Sequence, residues 1–340
     1  MQRAISSYFW DAQLLARRYS DEEVTMQFFQ REKDVVLSGI NEIIQLLDKE
    51  LKAKQITLKY LEEGSIVPPL EVVLELRGKY EYLSIYEGII DGILSRSSSL
   101  ATNARRCIEA SKGTEIICMS DRSDHYRNIE GDCFSYYIGG IRSFSSPILL
   151  DSELYRQLPN REEIKVYHSL PHGSIQVFRG NTLETMKAYR ETFPNIDMVA
   201  LVDFNNDVIG ESLALYKEFG EHLKGVRVDT HNDLKDKSLS DYPDEEEYLG
   251  VNATLIRKLR EKLDAIGASN VKIYLSSGFT PTKIREFVNE GVKVDGFGVG
   301  AYLSKVSVFF TGDLVRIGDE NLAKAGRCYR ENPKLRGLTI

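Results

Sequence analysis

The stretch "VKIYLSSGFTPTKIREF" at residues 271–287 carries the argument for the fold. An apolar run ends in Ser276, Ser277 and Gly278, and an amphipathic segment opening on Pro281 follows. The first part reads as a buried strand, the second as a helix whose first turn accepts the proline. Gly278 lets the backbone approach an anion closely, and free N–H groups at the helix start would face a phosphate along the favourable end of the dipole. Ordinary strand-to-helix loops also favour Ser, Gly and Pro, so this stretch alone leaves both readings open.

The same rhythm recurs around it. "VDGFGVG" at 294–300 leads into "AYLSK". Upstream, "TEIICMS" leads to "DRSDH", "IDMVALVDF" to "VIGESLALYKEFG", and "GVRVDT" ends at Asp229 and Thr230. Strands alternating with helices imply a parallel sheet buried on both faces. About six strands are visible, which suits an incomplete or irregular α/β barrel better than eight regular units. In a parallel barrel the polar residues at the strand ends share one rim. Asp203, Arg227, Asp229, Ser276, Ser277, Gly278, Gly298 and Gly300 are placed at that mouth.

Ahead of the barrel, "TMQFFQREKDV" from Thr25 has strand character, and "VLSGINEIIQLLDKEL" sets Ile40, Ile43, Ile44 and Leu47 on one helical face. Pro68-Pro69 marks a turn before a further strand or short helix. From Tyr82 a long helical stretch runs on, expected to be interrupted near Ser95–Ser99, where the domain boundary is placed. Apolar residues at 42% and charged residues at 28% are globular values. The net charge of −7 argues against a general nucleic-acid binder and permits an anionic substrate held by a local cationic cluster. Four scattered cysteines without CxxC spacing, no secretory leader and no apolar run of about 18 residues point to a cytoplasmic protein without disulfides, zinc or membrane span.

Several constellations could carry chemistry. "GFGVGAYLS" strengthens the phosphate reading of "SSGFTPTK", because neighbouring late-strand loops commonly share a phosphate. It is not a dinucleotide fingerprint. Arg227 and Asp229 lie two apart on one side of a strand, either gripping an anion or neutralising each other. "LVDFNND" offers Asp203, Asn206 and Asp207, suited to Mg²⁺, to a developing cation or to capping the next helix. Arg105 and Arg106, then Arg122, His125 and Arg127, add cationic candidates. "HSLPHGSIQVFRG" at 168–180 sets His172 between Pro171 and Gly173, with His168 four residues earlier. That imidazole is either a turn histidine or a nucleophile within reach of phosphate.

"SYFWDAQLL", "TMQFFQR", "YEGIIDGILSRSSSLATNARR", "LPHGSIQ", "ALVDFNND", "GVRVDT", "SSGFT" and "DGFGVGAYLS", in this order, resemble nicotinate phosphoribosyltransferase, particularly its shorter archaeal-type members. The resemblance implies a type II phosphoribosyltransferase fold: an α/β sandwich domain over 1–97, completed by 305–340, and an irregular, incomplete barrel over 98–304. It implies a homo-oligomer with shared active sites, and transfer of the phosphoribosyl group of 5-phosphoribosyl 1-diphosphate to nicotinate. ATP hydrolysis would be coupled through a phosphohistidine at His172, with Mg²⁺ as cofactor and no resident protein metal site. Asp203 and Asp229 would be catalytic. Arg105, Arg122 and Arg227 would line the substrate site, and Tyr8 would stack on the pyridine from a neighbouring subunit. Ser277, Gly278, Gly298 and Gly300 would hold the sugar phosphate, and His168 would be structural. The chain departs from the family pattern at Ser169-Leu170, where Gly-Thr is usual, at Ser123, where a second arginine is common, and at Asp121 and "THNDL". The alternatives are quinolinate phosphoribosyltransferase, whose arginine motif "ATNARR" partly echoes, a nicotinamide-specific enzyme, and a catalytically silent homologue that binds phosphorylated sugars or nucleotides.

Overall fold

The computed structural model describes residues 5–152, 158 and 160–338. The chain divides into two compact units, Met1–Arg105 with Phe134–Gly140 and Lys305–Ile340, and Arg106–Cys133 with Ile141–Ser304.

In the first unit, β1 (Glu23–Phe29), β3 (Thr57–Tyr60), β5 (Leu74–Lys79), β13 (Thr311–Ile317) and β14 (Arg336–Gly337) form a sheet in the order β13-β1-β5-β3-β14. Every pairing in it is antiparallel. β2 (Val35–Val36) and β4 (Ile66–Val67) pair separately. Alternation along β1 sends Val24, Met26 and Phe28 into the unit's apolar core. Its other face is also covered: the buried Gln27 amide donates to Glu75 and to the Arg330 carbonyl. The helix Ile40–Lys54 fills the core with Ile40, Ile43, Leu47 and Leu51, while Ile44 stays at its margin.

One expectation fails here. The helix Glu87–Ser111 runs unbroken through Ser95–Ser99. Serine disfavours helix interiors because its hydroxyl competes for backbone groups. Here those hydroxyls are engaged elsewhere: Ser95, Ser98 and Ser99 accept from the backbone N–H groups of Phe310, Ser38 and Val308, at 2.9, 3.0 and 2.8 Å. Tertiary hydrogen bonding outweighs the local preference.

The second unit is built on β6 (Glu115–Cys118), β7 (Ser143–Phe144), β8 (Lys165–Val166), β9 (Met198–Leu201), β10 (Leu223–Val228), β11 (Lys272–Leu275) and β12 (Gly296–Val299). They form a seven-stranded sheet in the order β8-β7-β6-β12-β11-β10-β9, parallel throughout. β9 and β12 are buried at every residue, as strands covered on both faces must be. β7 and β8 are two residues long, too short for any periodicity to betray them. This mixed α/β architecture, one unit with an antiparallel sheet and one with an open parallel half-barrel, is the type II phosphoribosyltransferase fold. All four cysteines are free. Among the described residues, no helix is long and apolar enough to cross a membrane.

Candidate active site

Because the seven strands are parallel, their carboxyl ends deliver side chains to one rim. β9 runs out towards Asp203, β10 carries Arg227 and ends before Asp229, and β11 ends before Ser276. His172 opens the short helix His172–Val177, with Pro171 in extended conformation at its start. Its Nε2 lies 2.8 Å from Asp203 Oδ2. The carboxylate is 6% exposed and the imidazole 44%, so the acid is fixed within the protein while the ring faces outward. The Asp203 hydrogen bond raises the imidazole pKa above its ordinary value; burial opposes it, the charges of Asp203 and Asp229 reinforce it, and Arg227 works against them. These four side chains therefore form one electrostatic cluster.

Asp229 Oδ1 accepts from Ser276 Oγ at 2.8 Å, tying the end of β10 to the start of the phosphate-loop candidate. Arg227 spends one terminal nitrogen on the Leu170 carbonyl at 3.0 Å and sets the other 3.8 Å from the Met119 sulfur. Its Nε is buried without a partner, as are Tyr167 Oη, Ser169 Oγ, Asp203 Oδ1, Asn206 Oδ1 and Thr230 Oγ1. Buried polar atoms are normally satisfied. Six such unpartnered atoms lie near the ends of β8, β9 and β10.

The loop after β11 is conformationally unusual. Ser277 and Gly278 both have positive φ, 82° and 68°. Glycine adopts that region freely, whereas serine does so at a cost that tends to cluster at ligand-holding turns. Thr280 caps the helix Pro281–Asn289 by accepting from Lys283 N. Beneath the loop Phe279, Phe287 and Phe297 pack with ring centroids 5.2 to 6.2 Å apart, fixing loop, helix and β12 together. Gly298 has a packing reason to lack a side chain: a Cβ there would stand 2.5 Å from the Met119 sulfur. At Gly300 a Cβ would meet the Met119 carbonyl oxygen at 2.9 Å.

The two carboxylates of "DFNND" part company. Asp207 accepts from Gly210 N at 3.1 Å and caps the helix Val208–Phe219, whereas Asp203 takes the imidazole. Arg122 is exposed, and Asp121 beside it accepts from Ser145 Oγ. Arg127 turns to its own neighbour, its Nε donating to Tyr126 Oη and its guanidinium 5.8 Å from that ring. His168 is exposed. Tyr8, 63% exposed, and Arg105, also exposed, belong to the first unit. Two residues escaped the sequence reading. Lys283, in the first turn after Pro281, sits 4.8 Å from the Phe279 ring and within 3.4 Å of the Ser277 carbonyl, its pKa lowered by burial. A lysine two residues past a helix-opening proline beside a Ser-Gly loop was the available signal. Tyr167 ends the run "IKVY", too short to read as a strand.

Residues 12–98 match the model of the quinolinate phosphoribosyl transferase N-terminal domain. A nicotinate phosphoribosyltransferase of Mycobacterium tuberculosis is 25% identical over 259 residues, 74% of this chain and 51% of that protein. A second from the same organism is 23% identical over 248 residues, 71% of this chain and 46% of its own length. The chain thus spans about half the length of the curated relatives it matches. Among solved structures, the nicotinate-nucleotide pyrophosphorylase of Pyrococcus furiosus superposes over 99% of this chain and 82% of that one, with a TM-score of 0.81 at 24% identity. Human nicotinic acid phosphoribosyltransferase follows over 93% and 75%, with a TM-score of 0.69 at 17% identity.

Proposed function

We propose that the chain is a nicotinate phosphoribosyltransferase, joining nicotinate to 5-phosphoribosyl 1-diphosphate with ATP hydrolysis coupled through His172. The observation that carries this reading is the His172–Asp203 hydrogen bond at the barrel rim. A proton on Nε2 directed to the carboxylate leaves the lone pair on Nδ1. Nδ1 attacks the γ-phosphorus of ATP, the bond to the bridging oxygen breaks, and ADP leaves. The phosphorylated ring is cationic, and the Asp203 carboxylate offsets its charge until water takes the phosphoryl group. In the transfer step the pyridine nitrogen forms a bond to the sugar C1 as the C1–oxygen bond to diphosphate breaks.

The sugar becomes oxocarbenium-like, and Asp203 and Asp229 favour that positive charge. Arg227 receives the pyridine carboxylate, Arg122 adds positive charge at the mouth, and Ser277, Gly278 and Lys283 hold the 5-phosphate. Gly298 and Gly300 keep the adjoining strand end close to the loop after β6. Among the described residues, no three His, Cys, Asp or Glu side chains are placed to hold a metal ion by themselves. Asp203 Oδ1 is nevertheless an orphaned hard oxygen, the kind of donor that binds Mg²⁺ jointly with substrate phosphates. Mg²⁺ held there would neutralise the departing diphosphate. The exposed Tyr8, Leu15 and Tyr19 of the helix Ser7–Tyr19 suit burial against a second copy, with Tyr8 stacking on the pyridine of its neighbour. NAD salvage in the cytoplasm is the corresponding role.

A quinolinate phosphoribosyltransferase is the second reading, favoured by the match of residues 12–98 to that domain model. The test is diphosphate release from 5-phosphoribosyl 1-diphosphate with nicotinate, nicotinamide or quinolinate, each with and without ATP, for wild type and His172→Ala. Turnover of nicotinate alone, with ATP stimulation and hydrolysis abolished in His172→Ala, is the expected result. ATP-independent turnover of quinolinate would transfer the assignment to the second reading. Ligand binding without turnover would leave a silent homologue.

A further inference from the structure

Inside the half-barrel two hydrogen-bond donors stand buried and unpartnered on residues linked through Tyr274, which is the register partner of Arg227 on the neighbouring strand and packs its ring on Tyr167. One is Arg227 Nε–H, the other the Tyr167 hydroxyl. The Arg227 charge acts on the Tyr167 phenol directly, although burial dominates and pushes that phenol's pKa well up, so it remains a neutral O–H donor. The Tyr167 ring is held edge-on to Tyr274 at 5.1 Å, in a cluster with Ile117, Met119 and Val199. Tyr274 crosses the strands where Gly225 and Gly296 flank it; a Cβ on either would stand 2.9 Å from its ring. The lumen is therefore floored here by packed aromatic rings, beside which Arg227 supplies a positive charge. Among the described residues no carboxylate forms an ion pair with Arg227. Besides the Leu170 carbonyl, the guanidinium meets Met119, an unbranched thioether and a weak acceptor that a stronger one displaces readily.

We propose that Tyr167 is a specificity-determining residue, its hydroxyl joining Arg227 Nε–H to hold one carboxylate of an aromatic monoacid. This rests on the nicotinate reading above and deepens it. A carboxylate presents two acceptor oxygens, one for each donor, and displaces the Met119 sulfur from its place. A carboxamide can satisfy both groups, its oxygen accepting from Arg227 and its NH₂ donating to the Tyr167 oxygen, but it brings no charge to the guanidinium and its bond to the hydroxyl is neutral. Selection for the acid over the amide thus arises from charge: the hydroxyl makes a charge-assisted hydrogen bond to the acid and a weaker, neutral one to the amide.

The test is Tyr167→Phe, which keeps the ring against Tyr274 and removes only the hydroxyl. Calorimetric titration with nicotinate, benzoate and nicotinamide is compared between wild type and variant, alongside KM and kcat for nicotinate. A hydrogen bond to a charged group contributes about 1.5–3 kcal/mol, so both acids should bind about 10- to 100-fold more weakly to Tyr167→Phe. Nicotinamide, losing only a neutral hydrogen bond, should weaken by less than either acid, about 2- to 10-fold, and the loss for nicotinate should fall on KM rather than kcat. A tyrosine of purely structural importance would weaken acid and amide alike. Equal losses for acids and amide, or acid affinities equal to wild type, overturn the proposal. So does failure of wild type to bind either acid. Wild-type turnover of nicotinate with no effect of Tyr167→Phe would leave the proposed activity standing and remove only the role of Tyr167.

Discussion

Replacing Asp203 with Asn tests the central geometry most directly. The substitution keeps size and shape but removes the charge 2.8 Å from His172 Nε2. Two consequences follow from the structure. The asparagine NH₂ can donate to Nε2, which moves the ring proton to Nδ1 and takes away the lone pair there. The cationic phosphorylated ring also loses its counter-charge. A charge-assisted hydrogen bond of this kind is worth about 1.5–3 kcal/mol, hence about a 10- to 100-fold loss in the rate of His172 phosphorylation near neutral pH. The raised imidazole pKa should fall in the variant, because its largest cause is the Asp203 hydrogen bond. The imidazole then stays neutral to lower pH, so the deficit narrows as the pH drops. Rapid-quench incorporation of labelled phosphate from ATP measures the rate, and NMR titration of the ring protons follows the pKa, with His172→Gln identifying the resonance among the five histidines. Equal rates in wild type and Asp203→Asn, or an unmoved titration, would refute the role assigned to the pair.

Two further outcomes concern stability. Phe279 is 2% exposed between Phe287 and Phe297, so Phe279→Ala should cost about 3–5 kcal/mol in urea unfolding of the second unit. A loss under about 1 kcal/mol would mean that the ring cluster does not anchor the loop after β11. In the first unit, burial raises Glu87 to about 7, with Asp91 and Asp313 adding repulsion, and raises Asp91 likewise to about 7. The folded state therefore holds protons that the unfolded chain releases at ordinary carboxylate pKa values. Stability present at low pH is lost as the pH rises towards about 7 and flattens above it. Thermal melts from about pH 5 to about pH 8 should show this fall, and Asp91→Asn should reduce it. A melting temperature that rises over that interval in wild type, or an identical slope in Asp91→Asn, would contradict the assignment.

What could be read from the sequence, and what could not, divides along physical lines. "IDMVALVDF", "GVRVDT" and "VKIYLSSGF" declare themselves because each is an apolar run long enough to cross a buried sheet, so the polar residues ending them fall on one rim. β7 and β8 are two residues each and leave no pattern, which kept Tyr167 out of view. Ser95–Ser99 read as a break because serine's local cost is visible in sequence, while the distant backbone N–H groups that engage its hydroxyls are not. The pair Asp203 and Asp207 shows the limit most clearly. Both are acids in one loop after one strand, and either could cap or catalyse. Asp207 stands at the first turn of its own helix and accepts from Gly210 N, an interaction spanning three residues that propensity alone anticipates. Asp203 finds its partner in His172, thirty-one residues earlier in the chain. Local chemistry thus explains the cap, whereas the candidate catalytic pair exists only once the parallel sheet has brought its strand ends together. If the fold creates the pair, Asp207→Asn should leave His172 phosphorylation within about twofold of wild type, since asparagine caps a helix as well as aspartate does. A loss as large as that in Asp203→Asn would show that the two acids act as one unit and that the division drawn here between cap and catalyst is wrong.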